Sequence, residues 1–371
     1  MRLQHRSRHL DVFNRAGLEA LGFGAPSAIP VESSLATIER EPDSDVPTGR
    51  IFNGGELLQR LRSQAPSEDL ARDVRAASKE LLSRGITTVQ DATFTNRPNE
   101  LDLFRGLIAS GDLGVRVFMM RSARYWREFD EAESPELRLG PIKIMLDEAT
   151  SNSGDVRRTV AGARAAGHAV AFHAVSEAEV ALALDALRDA PLRASKSAGP
   201  DRIEHGAVIP DEWLDQLREL GACVVGQPSL VRDRGDIYRD THSPEQHAWI
   251  HRARSLVNAG IPYAAGSDAP VTEPNPLLDM KASRTRRTIG GSLFGRDEAL
   301  TPMQALAAFT LWPARAVGAD RKLGKLRPGA VADVVVLDPD ALSDSDQGVE
   351  PTTRLTIKDG RVVWRRALGR S

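Results

Sequence analysis

The sequence predicts an α/β fold: a TIM-type (β/α) barrel with its first strand missing, followed by a small C-terminal β unit, a partial β-sandwich. Three observations carry this expectation. From about residue 80 onward, short apolar runs alternate with helical patterns. The runs are near-continuous Val, Ile and Ala, as in strands buried on both faces. Several helical stretches end in glycine just before the next run, where a left-handed cap suits it. Repeated strand–helix units imply a parallel sheet with right-handed crossovers, and a long enough sheet of this kind closes into a barrel.

The expected strands are residues 86–92 (ITTVQDA), 115–120 (VRVFMM), 142–147 (IKIMLD), 168–175 (HAVAFHAV), 202–208 (RIEHGAV), 222–229 (ACVVGQPS) and 261–268 (IPYAAGSD). Between them lie amphipathic stretches such as 67–83, 156–166, 176–188 and 211–220, with Gly85, Gly167, Gly221 and Gly260 as helix ends. Seven strands are visible rather than eight. The first follows a helix, and about 65 residues of irregular, Pro- and Gly-bearing sequence precede that helix. Residues 301–317 (TPMQALAAFTLWPARAV) read as one helix, with Thr301 as N-cap and Pro302 at the first helical position. Residues 331–337 then read as a strand. Residues 354–357 and 361–365 follow, joined by Asp359-Gly360, a strong hairpin signal.

Composition narrows the function. Of 371 residues 41% are apolar, enough for a substantial core, and the net charge is −2. A balanced chain of this kind gives no electrostatic reason to expect nucleic acid or an acidic membrane surface. Arg284, Arg286 and Arg287 read as a solvated helix face. The single cysteine, Cys223, cannot form a disulfide within the chain. This fits a reducing, cytoplasmic setting. No run reaches the length of a membrane span, and the first residues carry no apolar signal region.

Barrel enzymes place their chemistry at the C-terminal ends of the strands. Those ends carry Lys143 with Asp147 and Glu148, His173, Glu204 with His205, and Asp268. Imidazole is a preferred ligand for zinc-type metals, and a carboxylate can ligate or act as a base. A lone strand histidine is more often a hydrogen-bonded core residue. A buried lysine is rarer, because an unpaired ammonium is costly to bury. Four such groups in order on four strands are hard to explain by packing.

The order Lys, His, His, Asp resembles the metal-dependent amidohydrolase superfamily. RIEHGAVI, the Gly-Ser-Asp of AAGSDAPV, TPMQALAAFTLWPARAVG and LGKLRPGAVADVVVLD carry the resemblance. Within it the chain is similar to the amidohydrolase family 3 branch, through LQHRSRHLDVFNRAGLEALG and DVPTGRIF. The resemblance implies an insertion-like segment over residues 1–65, a metal-dependent hydrolase barrel over 66–320 and a β-sandwich portion over 321–371. It implies that His173 and His205 bind a divalent metal, with zinc the expected ion. Asp268 would ligate or take the proton from metal-bound water. In members with two metals Lys143 would be the bridging ligand, as its carbamate, which requires an amine pKa lowered from about 10.4. The reaction would be hydrolysis of carbon–nitrogen bonds other than peptide bonds, such as amides, formamides or cyclic imides, in a small-molecule substrate.

One departure matters. The family's first strand ends in a His-x-His pair, and none of the eight histidines here forms one. The expectation is a chain lacking that strand, either truncated or a short paralogue. Metal affinity and activity would be impaired, leaving as alternative a domain that retains only small-molecule or partner binding. His9 and His242 are expected near the substrate. His247 and His251 are i, i+4 neighbours but read as a solvated helix face. His168 lies at the wrong strand end, Asp91 reads as a site candidate or a strand-end cap, and strand alternation points Glu204 away from His205.

Overall fold

The computed structural model describes residues 1–5, 10–23, 36–52, 54, 57, 67–130, 132–190, 199–338, 341–342 and 352–367. His9 lies outside them. The chain divides into two compact units, Met1–Val74 and Arg75–Ser371.

The first unit is more regular than its sequence suggests. Strands β1 (Arg2–Gln4), β2 (Leu10–Phe13), β3 (Thr37–Arg40) and β4 (Pro47–Phe52) form an antiparallel sheet in the order β1-β2-β4-β3. A short helix, α1 (Arg15–Ala20), follows β2, and Asn14 caps it by accepting from the Gly17 N–H. Phe13, Leu21, Ile51 and Leu57 make a small core of their own. Strands of three to six residues are too short to show a clear two-residue period, which is why this region reads as irregular.

The second unit is built on a curved parallel sheet: β5 (Thr88–Asp91), β6 (Arg116–Ser122), β7 (Leu137–Met145), β8 (Val170–Ala174), β9 (Arg202–His205), β10 (Cys223–Gly226) and β11 (Tyr263–Ala265). Neighbours in sequence are neighbours in space. These seven strands are the seven expected. Among the described residues no eighth strand joins them. The helices are α2 (Ser67–Ser83), α3 (Pro98–Ala109), α4 (Ser153–Ala165), α5 (Glu177–Asp189), α6 (Leu214–Leu220), α7 (Pro228–Thr241), α8 (Arg254–Asn258) and α9 (Pro276–Thr285). Gly85, Gly167, Gly221 and Gly260 have φ of 80°, 84°, 62° and 73°, so the glycines expected to end helices do adopt the left-handed backbone.

One face of the sheet is aliphatic. Ile142, Ile144, Val170, Phe172, Ile203 and Val224 pack with Val160, Val180, Leu184 and Leu217 from the helices in one buried core. The alternate strand positions therefore face the barrel interior. Register rows Lys143–Ala171–Arg202 and Met145–His173–Glu204 put the polar groups together on that inner face.

Two expectations about helices change. Residues 301–317 form two helices, α10 (Pro302–Ala308) and α11 (Leu311–Ala316). Pro313 has no N–H for the Phe309 carbonyl and its ring crowds it, so the chain breaks between them. The Thr301 cap is present, as a reciprocal box with Gln304. The stretch after β10, expected as loop, is α7, opened by Pro228 at its first position.

The C-terminal strands β12 (Val334–Leu337), β13 (Thr353–Lys358) and β14 (Arg361–Arg365) form a three-stranded antiparallel sheet. Asp359 and Gly360 both have positive φ, 51° and 77°, as a type I′ turn requires. This sheet is tied to the start of β6. Arg116, 4% exposed, reaches Asp333 and Asp359 at 2.9 Å each, Lys358 reaches Glu136 at 2.6 Å, and the Thr356 hydroxyl donates to the Leu82 carbonyl at 2.7 Å. These contacts fix the opposite end of the sheet from the strand ends that carry Lys143, His173 and His205.

Candidate metal centre

His173 is the fourth residue of β8 and faces the barrel interior by ordinary alternation. His205 does not. Its register partner is Ala174, which packs on the helix-covered face. A φ of 76° at His205, at the last residue of β9, takes it out of the pleat. Its ring meets that of His173 edge-on, with centroids 4.6 Å apart. The His205 Nε2 and His173 Nδ1 atoms stand 3.0 Å from each other.

Adjacent β10 supplies the next contact. The Gln227 side chain, 4% exposed, puts Oε1 2.9 Å from His205 Nδ1, and its Nε2 donates to the Val225 carbonyl at 2.9 Å. Burial, reinforced by the positive charge of Lys143, holds the His205 pKa below its usual value, against the opposing pull of Asp268. A neutral imidazole is the form that can ligate a metal.

Lys143 is 4% exposed in the middle of the inner face. Burial lowers its pKa, the Arg202 charge adds to this, and Glu204 and Asp268 oppose it. Arg202, on the same row, stands 3.0 Å from Glu204 and donates to Gln90 Oε1 at 2.5 Å. Glu204 shares the inner face with Lys143 and His173, because the turn at His205 lets consecutive residues serve the same side. Alternation alone had pointed it away. Asp268, past the end of β11, is exposed and has a left-handed φ of 53°. Its charge acts on both Lys143 and His205.

Of the other candidates, His251 lines a small pocket together with His205 and Gln227. His242 ends α7, and a helix of 14 residues places it about 20 Å from the strand end at ~1.5 Å per residue. It stacks edge-on against Tyr238. His247 and His251 are not on one helix face. The first sits in a 3₁₀ turn, and the second is 7% exposed with φ 47° and its Nε2 3.3 Å from the Tyr238 hydroxyl. His168 Nδ1 accepts from Arg121 at 3.1 Å, at the far end of the sheet. Asp91 accepts from the Thr93 N–H at 2.8 Å and the Asn96 amide at 3.0 Å, which is strand-end capping. Arg286 is buried and donates to the carbonyls of Phe294, Gly295, Ile250 and His251, so it is no solvated face.

Gln227 escaped the sequence reading. It stands at a strand end like the other four, but an uncharged amide does not announce chemistry.

The donor set partly fits a metal. Two nitrogens on one tetrahedral zinc, at ~2.0–2.1 Å each, would lie about 3.3 Å apart. The observed 3.0 Å is close to this. Among the described residues, however, no group of three or more His, Cys, Asp or Glu side chains converges to hold an ion.

Residues 1–364 match the profile described as the amidohydrolase family. The chain belongs to that family. An N-substituted formamide deformylase of Arthrobacter pascens is 26% identical over 90% of this chain and 67% of its own length. An imidazolonepropionase of Stenotrophomonas maltophilia is 26% identical over 78% of this chain and 70% of its own. Among solved structures, an uncharacterized metal-dependent hydrolase from Pyrococcus horikoshii shares the fold with a TM-score of 0.73 and 21% identity, covering 97% of this chain and 73% of that one. The family makes the protein a hydrolase by descent, on an α/β scaffold of the TIM-barrel kind.

Proposed function

We propose that the inner strand ends form part of a metal centre for hydrolysis of a non-peptide carbon–nitrogen bond in a small-molecule substrate, an amide or formamide. The facing pair His173 Nδ1 and His205 Nε2 carries this reading. The names of the deformylase and imidazolonepropionase relatives support the bond type. Imidazole nitrogens on a buried wall suit zinc among the divalent ions. When bound, such an ion supplies an activated water and polarises the scissile carbonyl.

The chain's own residues do the rest. His173 and His205 would hold the ion, with Asp268 or carbamylated Lys143 as a further ligand. Asp268, at the exposed mouth, would take the proton from the attacking water and deliver it to the leaving amine. A lowered lysine pKa favours the neutral amine that carbamate formation needs. The buried Cys223 thiol, pushed up to about 12 by burial, suits a reducing, cytoplasmic setting and takes no part.

We read the seven strands as strands two to eight of an eight-stranded barrel. The His-x-His ligands of a first strand are not in this sequence. A catalytic zinc usually has three protein ligands. His173 and His205 would supply two of the three, and Asp268 or Lys143 would have to supply the third. A second reading, binding without turnover, is favoured by one observation: the described residues hold no three-ligand cluster.

Metal analysis of the purified protein, paired with hydrolysis of an N-formyl and N-acyl panel, separates these readings. Weak zinc uptake that depends on His173 and His205, with slow turnover, supports the hydrolase. Zinc or small-molecule binding without any hydrolysis supports the second. Stoichiometric tight zinc with robust hydrolysis overturns the expected impairment.

A further inference from the structure

We infer that Gln227 is a positioning residue that sets the tautomer of His205, and so decides which of the two facing imidazoles presents a bare nitrogen to a metal. The part concerning metal rests on the reading of His173 and His205 as ligands. The part concerning the tautomer does not.

The amide has one satisfactory orientation. Its Nε2 donates to the Val225 carbonyl at 2.9 Å, which leaves Oε1 facing His205 Nδ1 at 2.9 Å. A flip would set Oε1 against a carbonyl oxygen at the same distance, two acceptors face to face. Gln227 is 4% exposed, so water has little access to repair such a clash. Oε1 can only accept, so His205 must carry its hydrogen on Nδ1 and donate it. Its Nε2 is then a bare lone pair, aimed at His173 Nδ1 3.0 Å away. His173 must therefore be the donor of that contact. In the metal-free protein one proton lies between the rings, on His173. His205 is ready to ligate through Nε2, whereas His173 would have to carry its hydrogen on Nε2 instead before its Nδ1 could ligate.

The local fold leaves the amide available for this task. Gln227 is the N-cap residue of α7, a position where a polar side chain often caps its own helix. Here it does not. Pro228 has no N–H to satisfy, and the Ser229 N–H is taken by Asp279 Oδ1 at 3.1 Å. Both ends of the Gln227 amide are thus committed to β10 and His205.

The test uses ¹⁵N-labelled, metal-free protein at about pH 8, read by imidazole ¹H–¹⁵N correlation, with His205→Asn assigning the signals. The expected result is a pyrrole-like Nδ1 and a pyridine-like Nε2 at His205. Gln227→Leu should give a mixture of tautomers and bind zinc ~10–100-fold more weakly, the usual cost of losing an outer partner of a ligating histidine. Gln227→Glu keeps an acceptor at Nδ1, so it should keep the tautomer, although its second oxygen then faces the Val225 carbonyl and costs stability. His205 protonated on Nε2 in the parent protein overturns the inference. So does a Gln227→Leu protein with unchanged tautomer and zinc affinity. Should Gln227→Leu fail to fold, the parent spectrum and the Gln227→Glu protein still decide. Should the parent take up no zinc, the metal reading fails, and the spectra still settle the role of Gln227.

Discussion

The two ends of the seven-stranded sheet both carry polar groups and use them in opposite ways. At the N-terminal end the charges around β6 are paired. Arg116 alone bonds Asp333, Asp359, Thr88 and the Pro135 carbonyl, and Lys358 pairs with Glu136. At the C-terminal end the groups are arranged for something else. Two imidazoles face each other, a lysine is held below its ordinary pKa, and an aspartate sits exposed at the mouth. The difference separates charges that hold a structure from groups that cost stability and stay reactive.

Substitutions at the two ends should therefore fail in different currencies. The largest effect should come from Arg116→Ala. It leaves the half-buried Asp333 without its cation, while exposed Asp359 keeps Lys358 at 3.0 Å, and should cost about 3 kcal/mol in urea unfolding, with zinc affinity of the surviving folded protein unchanged. A loss below about 1 kcal/mol would mean that the N-terminal network is ornamental.

His205→Ala should do the reverse. Zinc affinity, followed by competition with a chelator, should drop by at least about 100-fold, while stability falls by only about 1–2 kcal/mol from the orphaned Gln227 amide. Equal zinc binding by both proteins would dissolve the comparison.

His251 tests burial without function. Its pKa is lowered to about 3, chiefly by burial and then by Arg286. The unfolded chain takes up this proton near the ordinary histidine pKa of about 6.5, whereas the folded chain does not until about pH 3. Stability is thus fully present above pH 6.5 and is lost as the pH falls through that window. His251→Phe removes the penalty, so between pH 6.5 and 5 the variant should lose about 2 kcal/mol less than the parent. Parallel stability curves would show that the histidine is not buried in its neutral form.

Lys143→Met should raise stability at pH 7 by about 1 kcal/mol, because burial outweighs the help of Glu204 and Asp268. A loss of 2 kcal/mol or more, of the order of breaking a buried ion pair, would instead make Lys143 a structural cation. The smallest effect belongs to His242→Ala, which should move stability and zinc affinity by no more than about 0.5 kcal/mol. A larger change in zinc binding would bring the end of α7 into the site.

Much of the fold was legible because its signals are local. Strand runs, helix periodicity and the glycines at 85, 167, 221 and 260 each act within a few residues. The short strands of residues 2–52 were not legible, since three to six residues hardly show a period. The split of 301–317 could have been read from Pro313. His242 follows a 14-residue helix after β10, where the sequence predicts a loop.

The sequence by itself determined which strand ends carry Lys143, His173, His205 and Asp268, and that no His-x-His accompanies them. These are matters of order and spacing along one chain. Only the tertiary structure decided that His205 leaves the pleat, that its Nε2 meets His173 Nδ1, and that Gln227 from the neighbouring strand holds its other nitrogen. Strand alternation assigns His205 to the helix-covered face, and a left-handed φ overrides it. Nothing in a two-residue period encodes that angle. It is fixed by contacts across the strands, between residues more than twenty positions apart.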